Sequence, residues 1–403
     1  MSRFHWVLLA GLYISQFLPV AFFFMGLPAI LRAEGMELSQ IGALYSLGIV
    51  WVLKFLWAPL VDRTGFGRWG HYRIWVLATQ SGMVAMLVLI SRLGGADDFS
   101  SLLVLSLVMT AFAATQDIAT DAIACRLLPE RLRGPGNAIQ IAGGLFGLVL
   151  GGGGMLLLFP YLGWQGSVLG LAGLVVIAMM PVLFFREKPV QAASIQWVGV
   201  GRLLNFWRRP QMLHWALVLV LLNIGVSIIF PLLHTRLVDV GWPVGSIGLT
   251  LNILAPTVSL AAVAMTGTLL TRTDGWRLFQ ILLPLEAFSV LLLVPLATGA
   301  AESPLTLPGI LLLFCTHNAV ATVAVTMMMG RVETGAEGSD FSLQHGVYLL
   351  TGFVAGGVSL QLAGGLGYLN ALYIALAAMS VALLVCLRLR APMLKTSRAY
   401  SSQ

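Results

Sequence analysis

Four ionisable side chains fall inside long apolar stretches: Lys54, Asp117, Asp121 and Glu286. A charge in the hydrocarbon core of a bilayer is costly unless it meets a partner or a wet cavity, so chemistry is to be sought at these four. Lys54 stands eight residues before Asp62, and Asp117 stands nine before Arg126. At about 1.5 Å per residue, each therefore lies roughly 12–13 Å from its polar helix end. The two can share one level on neighbouring helices and neutralise each other. Asp121 is one turn from Asp117 on the same face. The set reads as a carboxylate ladder that suits a proton or a cationic group moving inward, or as a buried ion pair that fixes packing. Glu286, nine residues into its helix, has no evident partner in sequence and is a candidate proton carrier.

Neutral polar residues extend this set. Gln116 precedes Asp117, and His317-Asn318 occupies the corresponding place later in the chain, where it would face the same central cavity and touch substrate. Tyr13, Gln16 and Phe17 are placed to hold the rings of a ligand. His214, His234 and His345 lie nearer helix ends and read as packing or interfacial residues. No pair of histidines or carboxylates has metal-ligand spacing, so neither a metal nor a cofactor is expected. Helix-embedded His and Asp residues also occur in membrane-bound acyltransferases. Here no nucleophile–base spacing supports an enzyme. The glycines Gly143, Gly144, Gly147 and Gly151 to Gly154 follow no strand, which argues against a phosphate loop and for close helix packing.

The elements that hold these residues follow from composition. Of 403 residues, 58% are hydrophobic and 10% charged, and the mean hydropathy is +0.91. That is more apolar surface than a soluble core hides, and in lipid every backbone group must be satisfied internally, so an all-α membrane protein is expected. Spans of about 20 residues fit near 5–31, 40–60, 73–92, 101–125, 136–158 and 166–185, then 212–237, 246–270, 277–298, 305–330, 341–363 and 370–387. The result is twelve transmembrane helices in two six-helix bundles, 1–185 and 211–388, joined by a cytoplasmic linker at 186–210 and followed by a basic tail at 389–403. The first helix reads as retained, not as a cleaved signal. Cys125, Cys315 and Cys386 have no paired spacing and read as reduced packing residues.

The charge pattern sets the orientation. The net charge of +7 is scattered between apolar runs, which argues against a nucleic-acid partner. Of the 23 Lys and Arg residues, only Arg32, Arg92 and Arg236 fall in one set of loops, and Lys54 lies within a helix. The remaining nineteen fall in the termini and the opposite loops, so the positive-inside rule places both termini in the cytoplasm. The mixed apolar, aromatic and basic stretch from Ser194 to Pro210 reads as a surface-lying linker or as an ordinary polar connector.

The halves also repeat. Ala58–Thr64 is matched by Gly267–Thr273, Thr115-Gln116-Asp117 by Thr316-His317-Asn318, and Gln140 with Gly152-Gly153 by Gln344 with Gly356-Gly357. The offsets are 209, 201 and 204 residues, three matches nearly in register, as in transporters built from duplicated units.

At these residues the chain resembles the major facilitator superfamily. Ala58 to Arg68 is a degenerate form of that family's loop motif between helices 2 and 3, with Asp62, Arg63 and Gly65 in place, Ala58 for the leading glycine and Phe66-Gly67 interrupting the basic run. The resemblance implies a cytoplasmic gate latched by Asp62 and Arg63 with a basic residue at the foot of helix 4, here Arg126. Lys54-Phe55-Leu56-Trp57-Ala58-Pro59, Leu77-Ala78-Thr79-Gln80, Gln116-Asp117-Ile118-Ala119-Thr120-Asp121 and Leu162-Gly163-Trp164-Gln165-Gly166 are similar to AmpG-like permeases, which carry muropeptides, and to shorter relatives importing ferric siderophores of the rhizobactin and pyochelin type. Length favours the siderophore branch, with the muropeptide branch as the alternative. The implied function is proton-coupled import across the bacterial inner membrane by a monomer working through alternating access. Export of a drug or metabolite is a further alternative.

Overall fold

The structure is a computed structural model that describes residues 1–65, 70–187, 200–300 and 303–401. Among these residues, ten helices are long and apolar enough to cross a membrane. We label the spans α1 (Arg3–Arg32), α3 (Tyr72–Ile90), α4 (Phe99–Leu127), α7 (Met212–Asp239), α8 (Gly245–Leu269), α9 (Gly275–Thr298), α10 (Thr306–Met329), α11 (Glu337–Leu366) and α12 (Tyr368–Arg390). The tenth, Glu130–Phe184, is too long for one crossing. It bends at Gly163, whose φ of 62° only glycine adopts cheaply, into α5 before and α6 after. The shorter apolar helix Gly42–Leu56 is α2. The arrangement is consistent with twelve helices.

Several boundaries differ from expectation for local reasons. The loop expected between α5 and α6 shrinks to the turn at Gly163. α2 is not one continuous helix. It passes through 3₁₀ turns at Gly42–Tyr45 and Lys54–Leu56, then resumes as Ala58–Arg63. Pro59 explains the second break: it has no N–H for the carbonyl four residues back, and its ring crowds that carbonyl. The helix beginning at Tyr368 runs on to Ser401, where a basic tail was expected. Part of the expected linker is the helix Val200–Arg208, which buries Leu203 and Phe206 and exposes Leu204; residues 188–199 lie outside the described residues, as do Phe66 to Trp69 of the loop motif.

The chain divides into two compact units. The first comprises Met1–Gly201 together with Met329–Leu343, and the second Arg202–Met328 with Gln344–Gln403. The first unit thus takes in the end of α10, the following turn and the start of α11, although sequence assigns those residues to the second half. In the first unit α1 packs along α4, α5 and α6, and α3 along α4 and α6. The glycine face of α5 makes the α1 contact: a Cβ on Gly143 would lie 2.7 Å from the Cβ of Tyr13, and one on Gly147 or Gly151 would strike Phe17 or the Leu18 carbonyl. The helix is loosened into a π-turn over Gly147–Gly154. In the second unit α12 packs on α7 and α9. Its core holds Val226, Ile229 and Leu233 of α7 with Val290, Leu313, Ala375 and Met379.

Candidate transport site and gate

The break in α2 places Lys54 inside the first unit with its side chain fully buried. Its ammonium forms an ion pair with Asp117 and lies 3.7 Å from Asp121, and it sits 5.9 Å from the centre of the Trp51 ring. α2 and α4 thus bring the two charges together.

The two carboxylates are held differently. One Asp117 oxygen takes Lys54 and the other accepts the Gln16 amide at 2.5 Å. Asp121 Oδ1 accepts the Tyr13 hydroxyl at 3.0 Å and the Gln140 amide at 2.9 Å, while Oδ2 has no hydrogen-bond partner. With both carboxylates ionised, Lys54, Asp117 and Asp121 carry one net negative charge out of water. One added proton removes it, and Asp121 Oδ2, which accepts no hydrogen bond although it lies 3.7 Å from the Lys54 ammonium, is the oxygen left to take it.

Other expected residues sit elsewhere. Tyr13 and Gln16 spend their polar groups on the carboxylates, and Phe17 stacks on Trp51 with ring centres 5.2 Å apart. Gln116 is buried against α1, donating to the Leu12 carbonyl and the Ser15 hydroxyl. Gln140 was marked in sequence only as half of a repeat. In the second unit, His317 Nδ1 lies 3.4 Å from a Glu286 oxygen, a pairing the sequence did not suggest. Asn318 donates to Ser259 and to the Phe314 carbonyl.

The expected gate residues gather at one end of the first unit. Asp62, 3% exposed, accepts the backbone N–H groups of Gly338 and Ser339 at 3.1 and 2.7 Å and the Tyr72 hydroxyl at 2.7 Å. Those amides belong to the first turn of α11, where they have no partner within the helix. Burial pushes the Asp62 carboxyl up to about 6, against the opposing pull of the bonds it accepts. Arg126 does not pair with Asp62. Its guanidinium covers the Tyr72 ring and bridges Glu337, at 3.1 and 3.2 Å, and Glu187, at 3.4 Å. Glu187 in turn accepts the N–H groups of Tyr72 and Arg73 at the head of α3, and its burial raises its pKa above the usual carboxylate value. Arg63 is exposed. Glu187 and Glu337 were missed in sequence, although Glu187 is an acid at the start of a predicted cytoplasmic linker rich in basic residues.

The profile of the Major Facilitator Superfamily matches residues 9–355. The chain belongs to that family. It is therefore a multi-pass membrane transporter and not an enzyme. It is 31% identical over 269 residues to the anhydromuropeptide permease of Escherichia coli K12, covering 64% of this chain and 54% of the permease. It is 21% identical over 273 residues to the putative transporter AmpG 4 of Rickettsia conorii, covering 64% of this chain and 66% of that one. The chain spans about half the length of the first of these relatives. Among solved structures of the family's fold, it superposes on the proton:xylose symporter XylE with a TM-score of 0.73 at 12% identity, covering 95% of this chain and 94% of XylE. A bacterial homologue of the iron transporter ferroportin, in its outward-facing state, gives 0.74 at 17% identity, covering 97% of this chain and all of that one. At such identities these likenesses speak for the fold alone.

Proposed function

We propose that the protein is a proton-coupled importer of the inner membrane, with both termini in the cytoplasm, that carries anhydromuropeptides by alternating access as a monomer. The observation that carries the coupling is the buried Lys54–Asp117–Asp121 set, one positive charge short of neutrality, with one Asp121 oxygen that accepts no hydrogen bond. Asp121 takes the proton, whereas both oxygens of Asp117 are held, by Lys54 and Gln16. The names of the relatives support a muropeptide cargo over the ferric siderophore.

Proteoliposomes loaded with the protein and given an inward proton gradient test this reading. Labelled anhydromuropeptide should accumulate, and a protonophore should abolish the accumulation. Asp121→Asn should lose gradient-driven uptake at least tenfold while keeping solute exchange, which moves no net proton. Uptake of a labelled ferric siderophore with none of anhydromuropeptide would replace the cargo, and undiminished driven uptake by Asp121→Asn would refute its role.

A further inference from the structure

The second unit holds an acid and a base that the coupling by Asp121 leaves unused. Glu286 on α9 is 1% exposed, and its Oε1 faces Nδ1 of His317 on α10 at 3.4 Å. Neither atom has a hydrogen-bond partner. A carboxylate oxygen and an unprotonated ring nitrogen are both acceptors; the Nδ1–H tautomer of the neutral ring would bridge them but leave the carboxylate's charge unbalanced, whereas an added proton cancels the charge as well. A proton on Nδ1 converts the same contact into a charge-assisted hydrogen bond.

The surroundings favour that proton. The His317 ring meets Phe230 edge to face at 5.3 Å, and Phe230 meets Phe314 likewise at 5.0 Å. An unprotonated pair would place one uncompensated negative charge beside this aromatic wall. Among the described residues Tyr348 on α11 also feels the charge of Glu286, and its buried phenol oxygen has no hydrogen-bond partner. Ser289 spends its hydroxyl on the Glu286 carbonyl and Asn318 its amide on Ser259 and Phe314, so neither supplies the missing proton. His317 is 16% exposed, which gives the proton a way in and out that Glu286 lacks.

We infer that Glu286 and His317 form a second proton-binding centre, holding one proton between Oε1 and Nδ1, and that the second half loads and releases it in each transport cycle. The inference rests on the proton-coupled reading and adds to it a second proton per solute.

Two measurements on the full chain in liposomes test it. Magnetic resonance of ring-labelled histidine, with His317→Gln to assign the signal, and the infrared stretch of protonated carboxyls report the pair's charge without any solute. At pH 7 the pair should show its proton, as a His317 imidazolium or as a carboxyl band, and Glu286→Gln should abolish that signature. Absence of both signals, or their persistence in Glu286→Gln, overturns the centre. The proton-to-solute ratio for labelled anhydromuropeptide should be two, and one in either Glu286→Gln or His317→Gln. A ratio of one in the unaltered protein refutes the second proton and leaves Asp121 coupling intact. No gradient-driven uptake at all refutes proton coupling itself, and this inference with it.

Discussion

Asp62 caps the start of α11 from far back in the chain, accepting at 3.1 Å the N–H of Gly338, 276 residues later, with Ser339 adding a second bond at 2.7 Å. An aspartate that closes a helix start normally sits next to it in sequence. Here the cap comes from the end of α2.

The first consequence is a pH dependence. The Asp62 carboxyl is raised from 3.8 to about 6 by burial, so the folded protein holds a proton there that the unfolded chain has already released. The contribution of this group to stability is fully present below its unfolded pKa and is lost as pH rises through about 6. Between pH 5 and pH 7 that loss is about 1 kcal/mol. Thermal unfolding in detergent, compared with Asp62→Asn at each pH, isolates the effect from Glu187. The variant should lack this increment, and parallel curves would contradict it.

Gly338 has no room for a side chain. A Cβ there would lie 2.6 Å from Asp62 Oδ1 and 2.9 Å from an Ile118 methyl carbon. Gly338→Ala should therefore push the carboxylate off the α11 amides and cost about 1–3 kcal/mol. Amide hydrogen exchange at the start of α11 is the direct check, and should quicken in the variant.

Lys54 and Asp117 should behave as one unit. Lys54→Met leaves two buried carboxylates without their cation and should lower the yield of folded protein in the membrane. The double variant Lys54→Met/Asp117→Asn removes both charges of the pair and should recover folding, with a coupling of roughly 0.5–3 kcal/mol. Asp117→Asn alone should stay folded and lose uptake. Size-exclusion profiles and uptake together separate these outcomes.

The α1–α5 contact gives a contrast within one helix. A Cβ on Gly144 would meet Phe17 at an ordinary 3.7 Å, whereas one on Gly151 would collide with the backbone carbonyl of Leu18. Gly144→Ala should be within about 0.5 kcal/mol of the parent. Gly151→Ala should destabilise by about 1–3 kcal/mol and, by displacing α1, loosen the Tyr13–Asp121 bond. Melting temperatures of the pair decide it.

Sequence reasoning reached some of these relationships and not others, for identifiable reasons. Lys54 and Asp117 could be matched because each has a polar landmark, Asp62 and Arg126, from which depth is counted. The glycine face of α5 was legible because small residues recur at helical spacing. Glu286 and His317 were singled out separately, but their pairing depends on the rotation of α9 against α10, and residue counting carries no rotation. Arg126 with Glu337 spans 211 residues, and no local pattern encodes such a partner. The turn at Lys54 was missed although Pro59 was in plain view, because twenty apolar residues in a row outweighed one proline.

The grouping of Met329–Leu343 with the first unit bears on how such a chain can be divided. The sequence suggests two repeated halves, yet the boundary between the folded units does not follow the expected linker between them. A polypeptide split after Gly201 would give an amino-terminal fragment whose Asp62 has no α11 amides to receive and whose Arg126 lacks Glu337. The carboxy-terminal fragment would carry that piece away. The first unit is thus completed by one turn from late in the chain.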